Sequence, residues 1–232
     1  MVIECGPEHL ETKQAIFQDL LATMPVQVVL VSASSAIPMS QVLPNEEDQT
    51  RCLVAHPVNP PSVLRLIELA PAPGTALEAV QGASELFEKA GFAAVTLGRE
   101  VEGFVLNRFQ SAVLREAYRL VEEGVVDVAG IDNVMRLGLG PRWALSGPFE
   151  TAELNTPGGI EAHARRMGPA YRRIGEARGE TVDWNEDLVA RVAAERAEIL
   201  APEHQDERRA WRARAVAQLV AERDRIVSET ND

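Results

Sequence analysis

The run Val26-Gln27-Val28-Val29-Leu30-Val31 constrains the fold of this chain more than any other stretch. Its β-branched side chains fit a pleated strand better than a helix, where they lose rotamer freedom. The run is apolar almost throughout and does not alternate with polar residues. That pattern predicts a parallel strand covered on both faces.

The rest of the first hundred residues agrees with such a sheet. Residues 1–5 read as a strand, and residues 8–24 carry Leu10, Ile16, Phe17, Leu20 and Leu21 at helical spacing. Strands are predicted at 52–55, 63–69 and 92–97, with a helix at 75–90 between the last two. Alternation of this kind implies an α/β layer with a parallel, doubly wound, Rossmann-like sheet. Beyond residue 102 only helical periodicity remains, over 104–123, 127–137, 158–175, 185–198 and from 205 to about 228. The first of these stops at Gly124, in the manner of a helix C-terminus. The expected organisation is therefore an α/β part over 1–100 and an all-α domain over 101–232. A buried strand needs neighbours on both sides, so a sheet starting at the first residue is expected to be incomplete. Its missing strands would lie upstream or come from another chain.

With 46% apolar residues among 232, the chain can build a sizeable core. A net charge of -12, with Lys13 and Lys89 the only lysines, argues against nucleic acid or an anionic membrane as partner. Cys5 and Cys52 each lie in an apolar, strand-like run, which predicts buried reduced thiols and a cytoplasmic protein. His9, His56, His163 and His204 form no metal-ligand spacing, so no metal is expected. No run is long and apolar enough to span a membrane, and the N-terminus is not patterned as a signal peptide.

The segment that points to chemistry is Ala55-His56-Pro57-Val58-Asn59-Pro60-Pro61, with Glu68 twelve residues after the histidine. An imidazole beside a carboxylate is a competent proton acceptor, because the carboxylate fixes which ring nitrogen carries the proton. A histidine ending a strand without a partner is the alternative. Ser32-Ala33-Ser34-Ser35 follows a predicted strand, where hydroxyls reach a ligand or simply cap a helix. Asn107, in Gly103-Phe104-Val105-Leu106-Asn107-Arg108, either caps a helix or offers a polar group to the same site. Gly138-Leu139-Gly140-Pro141 lacks the third glycine of a phosphate cradle and reads as a turn. No Gly-x-Gly-x-x-Gly occurs anywhere in the chain.

Together, Ser34-Ser35, His56-Pro57-Val58-Asn59-Pro60, Leu66-Ile67-Glu68 and the Gly103-to-Arg108 segment resemble the 3-hydroxyacyl-CoA dehydrogenase family. The likeness is to its lambda-crystallin branch, the L-gulonate 3-dehydrogenases. It extends through Gly147-Pro148-Phe149-Glu150-Thr151 and Arg208-Arg209-Ala210-Trp211-Arg212. The resemblance implies an NAD-dependent oxidoreductase and a homodimer paired through its helical domain. By it, His56 is the base, Glu68 orients it, Ser34 and Asn107 hold the substrate oxygen, and Asn59 also meets substrate. Glu8 and Lys13 fall at the family's cofactor contacts. The substrate is implied to be a small hydroxy acid or an acyl-CoA. The arginine-rich terminal helix favours the former, with Arg142 or Arg212 to clamp a free carboxylate. The family's glycine-rich turn would lie upstream of Met1. The expectation is thus a truncated chain that holds NAD poorly, or a fragment acting only through its helical domain.

Overall fold

The structure, a computed structural model, describes residues 1–179 and 185–229. It divides into two compact units, Met1–Arg119 and the chain from Leu120 onward. The expected order of an α/β layer followed by helices holds.

The first unit is built on a five-stranded sheet: β1 (Val2–Glu4), β2 (Leu30–Ser32), β3 (Cys52–Pro57), β4 (Leu66–Pro71) and β5 (Ala93–Thr96), in that spatial order. Helix α1 (Leu10–Thr23) crosses from β1 to β2, and α2 (Met39–Val42) with a 3-10 turn at Glu46–Gln49 leads to β3. Helix α3 (Leu77–Lys89) joins β4 to β5. The pairings β1–β2, β2–β3 and β4–β5 are parallel, but β3 and β4 run antiparallel. This corrects the expectation of a wholly parallel sheet. Only residues 58–65 separate β3 from β4. A parallel crossover needs about a dozen or more, so the chain must turn straight back.

Successive residues of the central strands alternate between two cores. Leu30, Cys52 and Val54 pack with Phe17, Met39, Leu43 and Phe104 on one side. Val31, Leu53 and Ala55 pack with Ile67, Leu69, Ala83 and Phe87 on the other. Burial on both faces explains why β2 and β3 read as unbroken apolar runs.

Two strands start later than their sequence suggests. Of residues 26–31 only Leu30 and Val31 lie in β2, while Val26 is exposed. The preceding residues turn out of α1, where the Arg51 guanidinium gathers the carbonyls of Leu21, Met24, Pro25 and Val28. Those carbonyls include unpaired ones of the helix C-terminus, so satisfying them wins over strand propensity. Likewise Val63 and Leu64 are exposed, because their amides close a turn onto the Pro60 carbonyl.

The expectation for the cysteines is half corrected: Cys52 is buried, but Cys5 is exposed just beyond β1. Burial pushes the Cys52 thiol up to about 11. Thiolate is the reactive form. Cys5 is therefore expected to react with a disulfide reagent in the native protein, and Cys52 only after denaturant is added. Two thiols titrating at one rate without denaturant would contradict this arrangement.

Helix α4 (Leu106–Glu122) follows the sheet. The second unit continues with α5 (Val128–Val134), α6 (Gly140–Trp143), α7 (Pro148–Leu154), α8 (Gly159–Ala177), α9 (Glu186–Ile199) and α10 (Gln205–Glu229). Among the described residues no strand follows Thr96, and no helix is long and apolar enough to cross a membrane. Gly138-Leu139-Gly140-Pro141, expected as a turn, instead lies in continuous helix, where a π turn (Met135–Leu139) joins α5 to α6. A Cβ on Gly140 would sit 2.9 Å from the Met135 carbonyl oxygen, so the tightened path needs glycine there. Within this unit, buried Glu153 receives two nitrogens of Arg196 on Oε2 and the Gln205 amide on Oε1. That ties α7, α9 and α10 together.

Candidate active site

The antiparallel turn-back between β3 and β4 sets the site. In its register His56 stands directly opposite Glu68. Cross-strand partners project to the same face of a sheet. Here the imidazole Nδ1 lies 2.9 Å from Glu68 Oε2, with both side chains buried. A carboxylate accepting at Nδ1 holds the proton on that nitrogen and leaves the Nε2 lone pair to receive another.

The other Glu68 oxygen, Oε1, accepts from the backbone amides of Val105 and Leu106 at 2.9 and 3.0 Å. These sit at the start of α4, where amides lack partners inside the helix and the helix dipole favours a negative group. One carboxylate therefore orients the histidine and caps a helix. The cap depends on two consecutive residues at positive φ, Gly103 at 73° and Phe104 at 49°. Such a φ is unusual for an aromatic residue. Phe104 is fully buried, and its ring centroid lies 5.4 Å from that of His56. The sequence reading missed these amides and Phe104. A glycine immediately before a helix was the available signal for a left-handed turn.

Asn107 does not cap its own helix. Its Nδ2 donates to the Ser35 carbonyl at 2.7 Å, so residues 105–107 join the imidazole–carboxylate pair to the end of β2. There Ser34 is fully buried. Its hydroxyl donates to Glu8 Oε1 and accepts from the Ala36 and Ile37 amides at 3.3 and 2.8 Å. The one proton Ser34 owns is thus committed to Glu8. The neighbouring Ser35 is exposed.

Glu8 Oε1 also accepts from the Ser35 and Ala36 amides. Burial pushes the Glu8 carboxyl up. The Ser34 hydroxyl, the Ala36 amide, the Lys13 charge and the Ser35 amide outweigh this and hold it below its ordinary 4.5. Lys13 lies beneath Glu8, with only 1% of its side chain exposed. Its ammonium contacts Glu4 at 2.9 and 3.1 Å and Glu8 Oε2 at 3.4 Å. Glu4 and Ser32, both buried, belong to this network; Ser32 stood out from sequence only as part of its serine run, and Glu4 not at all.

Asn59 is exposed in the loop after β3, at a cis bond to Pro60. Arg142 is exposed on α6, in the second unit. Arg212 donates to Asn155 Oδ1 at 2.8 Å. Its pKa is lowered by burial first and then by the like charge of Arg142.

Comparison with known proteins assigns the chain. Lambda-crystallin of Oryctolagus cuniculus is 39% identical, over 93% of this chain and 68% of its own length. L-carnitine dehydrogenase of Streptomyces coelicolor is 35% identical, over 98% of this chain and 68% of its own. Among solved structures, the 3-hydroxyacyl-CoA dehydrogenase of Archaeoglobus fulgidus superposes with a TM-score of 0.64 at 26% identity, covering 79% of this chain and 62% of that one. The chain thus spans about two-thirds of the length of these relatives. Residues 1–101 match the NAD binding domain of 3-hydroxyacyl-CoA dehydrogenase and residues 103–199 its C-terminal domain. The chain belongs to the 3-hydroxyacyl-CoA dehydrogenase family of NAD-dependent oxidoreductases.

Proposed function

We propose that this chain oxidises the hydroxyl β to a carboxyl group in a small, L-gulonate-like hydroxy acid, or in the related hydroxyacyl-CoA. His56 is the base in this reading. The observation that carries it is the buried imidazole–carboxylate contact of 2.9 Å, with Nε2 left to act. As the substrate hydroxyl is oxidised, its proton passes to His56 Nε2, and the positive charge that develops on the ring is met by Glu68 at Nδ1. NAD, when bound, supplies the acceptor for the hydride that leaves the carbinol carbon.

The residues present fit the nicotinamide–ribose end of that cofactor. Glu8 Oε1 is saturated by donors, while among the described residues Oε2 faces only Lys13 at 3.4 Å on a side chain 41% exposed. An open carboxylate oxygen suits a ribose hydroxyl. Lys13, being buried, meets Glu8 rather than the cofactor. No glycine-rich turn for the pyrophosphate occurs in the sequence, so no residue is assigned to it.

For the substrate oxygen we favour the exposed Ser35 hydroxyl over that of Ser34, which is spent on Glu8, with Asn107 holding the Ser35 backbone in place. Asn59 remains a candidate for the distal part of the substrate, and Arg142 for a free carboxylate. Residues 101–232 serve as the substrate and dimerisation domain in this reading. Exposed Leu114 and Tyr118, four residues apart on one face of α4, support pairing with a second copy. Two free cysteines support a reducing, cytoplasmic location.

The test is NADH formation by the purified chain with L-gulonate, L-carnitine and 3-hydroxybutyryl-CoA in parallel. Turnover of a free acid is expected. Arg142→Met should raise KM for that acid about tenfold or more, as expected for a lost charge-assisted contact, and leave the thioester unaffected. Turnover of none of the three would remove the reading. A KM unmoved by Arg142→Met would remove the clamp.

A further inference from the structure

Beneath Glu8 lies an arrangement that the chemistry at His56 does not use: one cation shared by two carboxylates. Lys13 Nζ is 2.9 and 3.1 Å from the two oxygens of Glu4 but 3.4 Å from Glu8 Oε2. Glu4 ends β1 and is itself nearly inaccessible. It accepts further from the Ser32 hydroxyl at 2.7 Å and from the Gly6 amide. A Cβ at position 6 would come within 2.9 Å of Glu4 Oε1, so glycine is what lets that amide approach. Four donor contacts on a buried carboxylate hold it rigidly.

An ion deprived of water needs its counter-ion more than one still in contact with solvent. Buried Glu4 therefore has the stronger claim on the ammonium, and the half-exposed Glu8 the weaker. We propose that Glu4 is a positioning residue that draws the Lys13 ammonium down and away from Glu8, leaving Glu8 Oε2 open to a hydroxyl donor of a nucleotide ligand. The inference rests on the reading of Glu8 as a cofactor contact, and it adds the residue that keeps that contact available. Without the Glu4 charge, Glu8 would be the carboxylate left in reach of Lys13. The flexible four-carbon stem would let the ammonium close on it. Oε2 would then be capped like Oε1.

The experiment titrates the full chain with NADH, read by nicotinamide fluorescence, and follows the Glu8 carboxyl by carbon-13 NMR across the acid range. Glu4→Gln should weaken NADH about tenfold, of the order of one lost charge-assisted contact, and move the Glu8 titration further down. Glu4→Gln with Lys13→Met should bring the affinity back to within about threefold of the parent, since no ammonium remains to block Glu8. A purely structural role for Glu4 predicts no such rescue. Unchanged affinity and titration in Glu4→Gln overturn the proposal, and so does a double variant that binds as poorly as the single one. Should Glu4→Gln fail to fold, the charge-balanced double variant decides by the same criterion. Glu8→Gln separates the two claims. If it leaves NADH affinity intact, or if the parent chain binds no NADH, the cofactor reading falls. The Glu8 titration then decides the placement of the ammonium alone: a downward move on Glu4→Gln that is absent when Lys13 is already Met upholds it, and no move, or the same move without Lys13, overturns it.

Discussion

His56→Ala is expected to lower kcat/KM by about 10²–10⁴, the usual worth of a positioned general base. The loss should fall on kcat, because the imidazole acts on the proton that leaves during the chemical step. It should leave NADH affinity nearly unchanged, since the cofactor contacts proposed here sit at the ends of β1 and β2. Stability should fall only modestly, because Phe104 loses one ring neighbour and Glu68 keeps its two amide donors. Steady-state kinetics with the best substrate, together with urea unfolding, separates these effects. Turnover at the parental rate would take His56 out of the mechanism.

Glu68 offers the second large effect, and here two substitutions part company. Glu68→Gln is nearly isosteric, and its carbonyl oxygen can still accept from Val105 and Leu106. What faces His56 is then an amide nitrogen that donates, which drives the ring proton to Nε2 and leaves the base unable to accept. A loss of about 10²–10⁴ in kcat is expected, in keeping with tautomer control in other histidine–carboxylate pairs, with the fold retained. Glu68→Ala removes the acceptor from both neighbours. It leaves a buried ring nitrogen and two helix-start amides without partners, at about 1–3 kcal/mol for each group that water does not reach. Unfolding midpoints should therefore fall clearly for alanine and little for glutamine. Parental stability in the alanine variant would contradict the capping role of Glu68. Parental turnover in the glutamine variant would contradict its orienting one.

Much of the fold was legible before any coordinates, because burial leaves a pattern. Helices α1, α3, α4, α8, α9 and α10 lie where their apolar periodicity put them, to within a few residues. The strands were found as elements, but β2 and β4 begin later than their apolar runs. In both cases a turn is held by long-range or turn-closing hydrogen bonds, at Arg51 and at the Pro60 carbonyl, which no local propensity reports. The short helices α2 and α7 were not anticipated. Elements of four and seven residues offer too few turns for a period to show.

The site divides along the same line. His56 and Glu68 stood out through residue type and spacing, and the turn-back of β3 into β4 makes that spacing a cross-strand contact. The second duty of Glu68 was invisible, because its partners are backbone amides and every residue has one. Ser34 stood out for its hydroxyl, yet that hydroxyl is turned inward to Glu8. Lys13, a long cation near the chain start, gave no sign that it would be buried over Glu4.

What the chain alone determined is therefore the ordering of an α/β layer before a helical part, the absence of a glycine-rich phosphate turn, and the kinds of group available for proton transfer. These follow from periodicity and composition, which are properties of neighbours along the chain. Tertiary structure alone decided the antiparallel sense of β3 against β4, the helix cap completed by Glu68, and the division of the Lys13 charge between Glu4 and Glu8. Each of these joins groups brought together only by packing. Each is settled by which buried polar group finds a partner, and that competition exists only once water has been excluded.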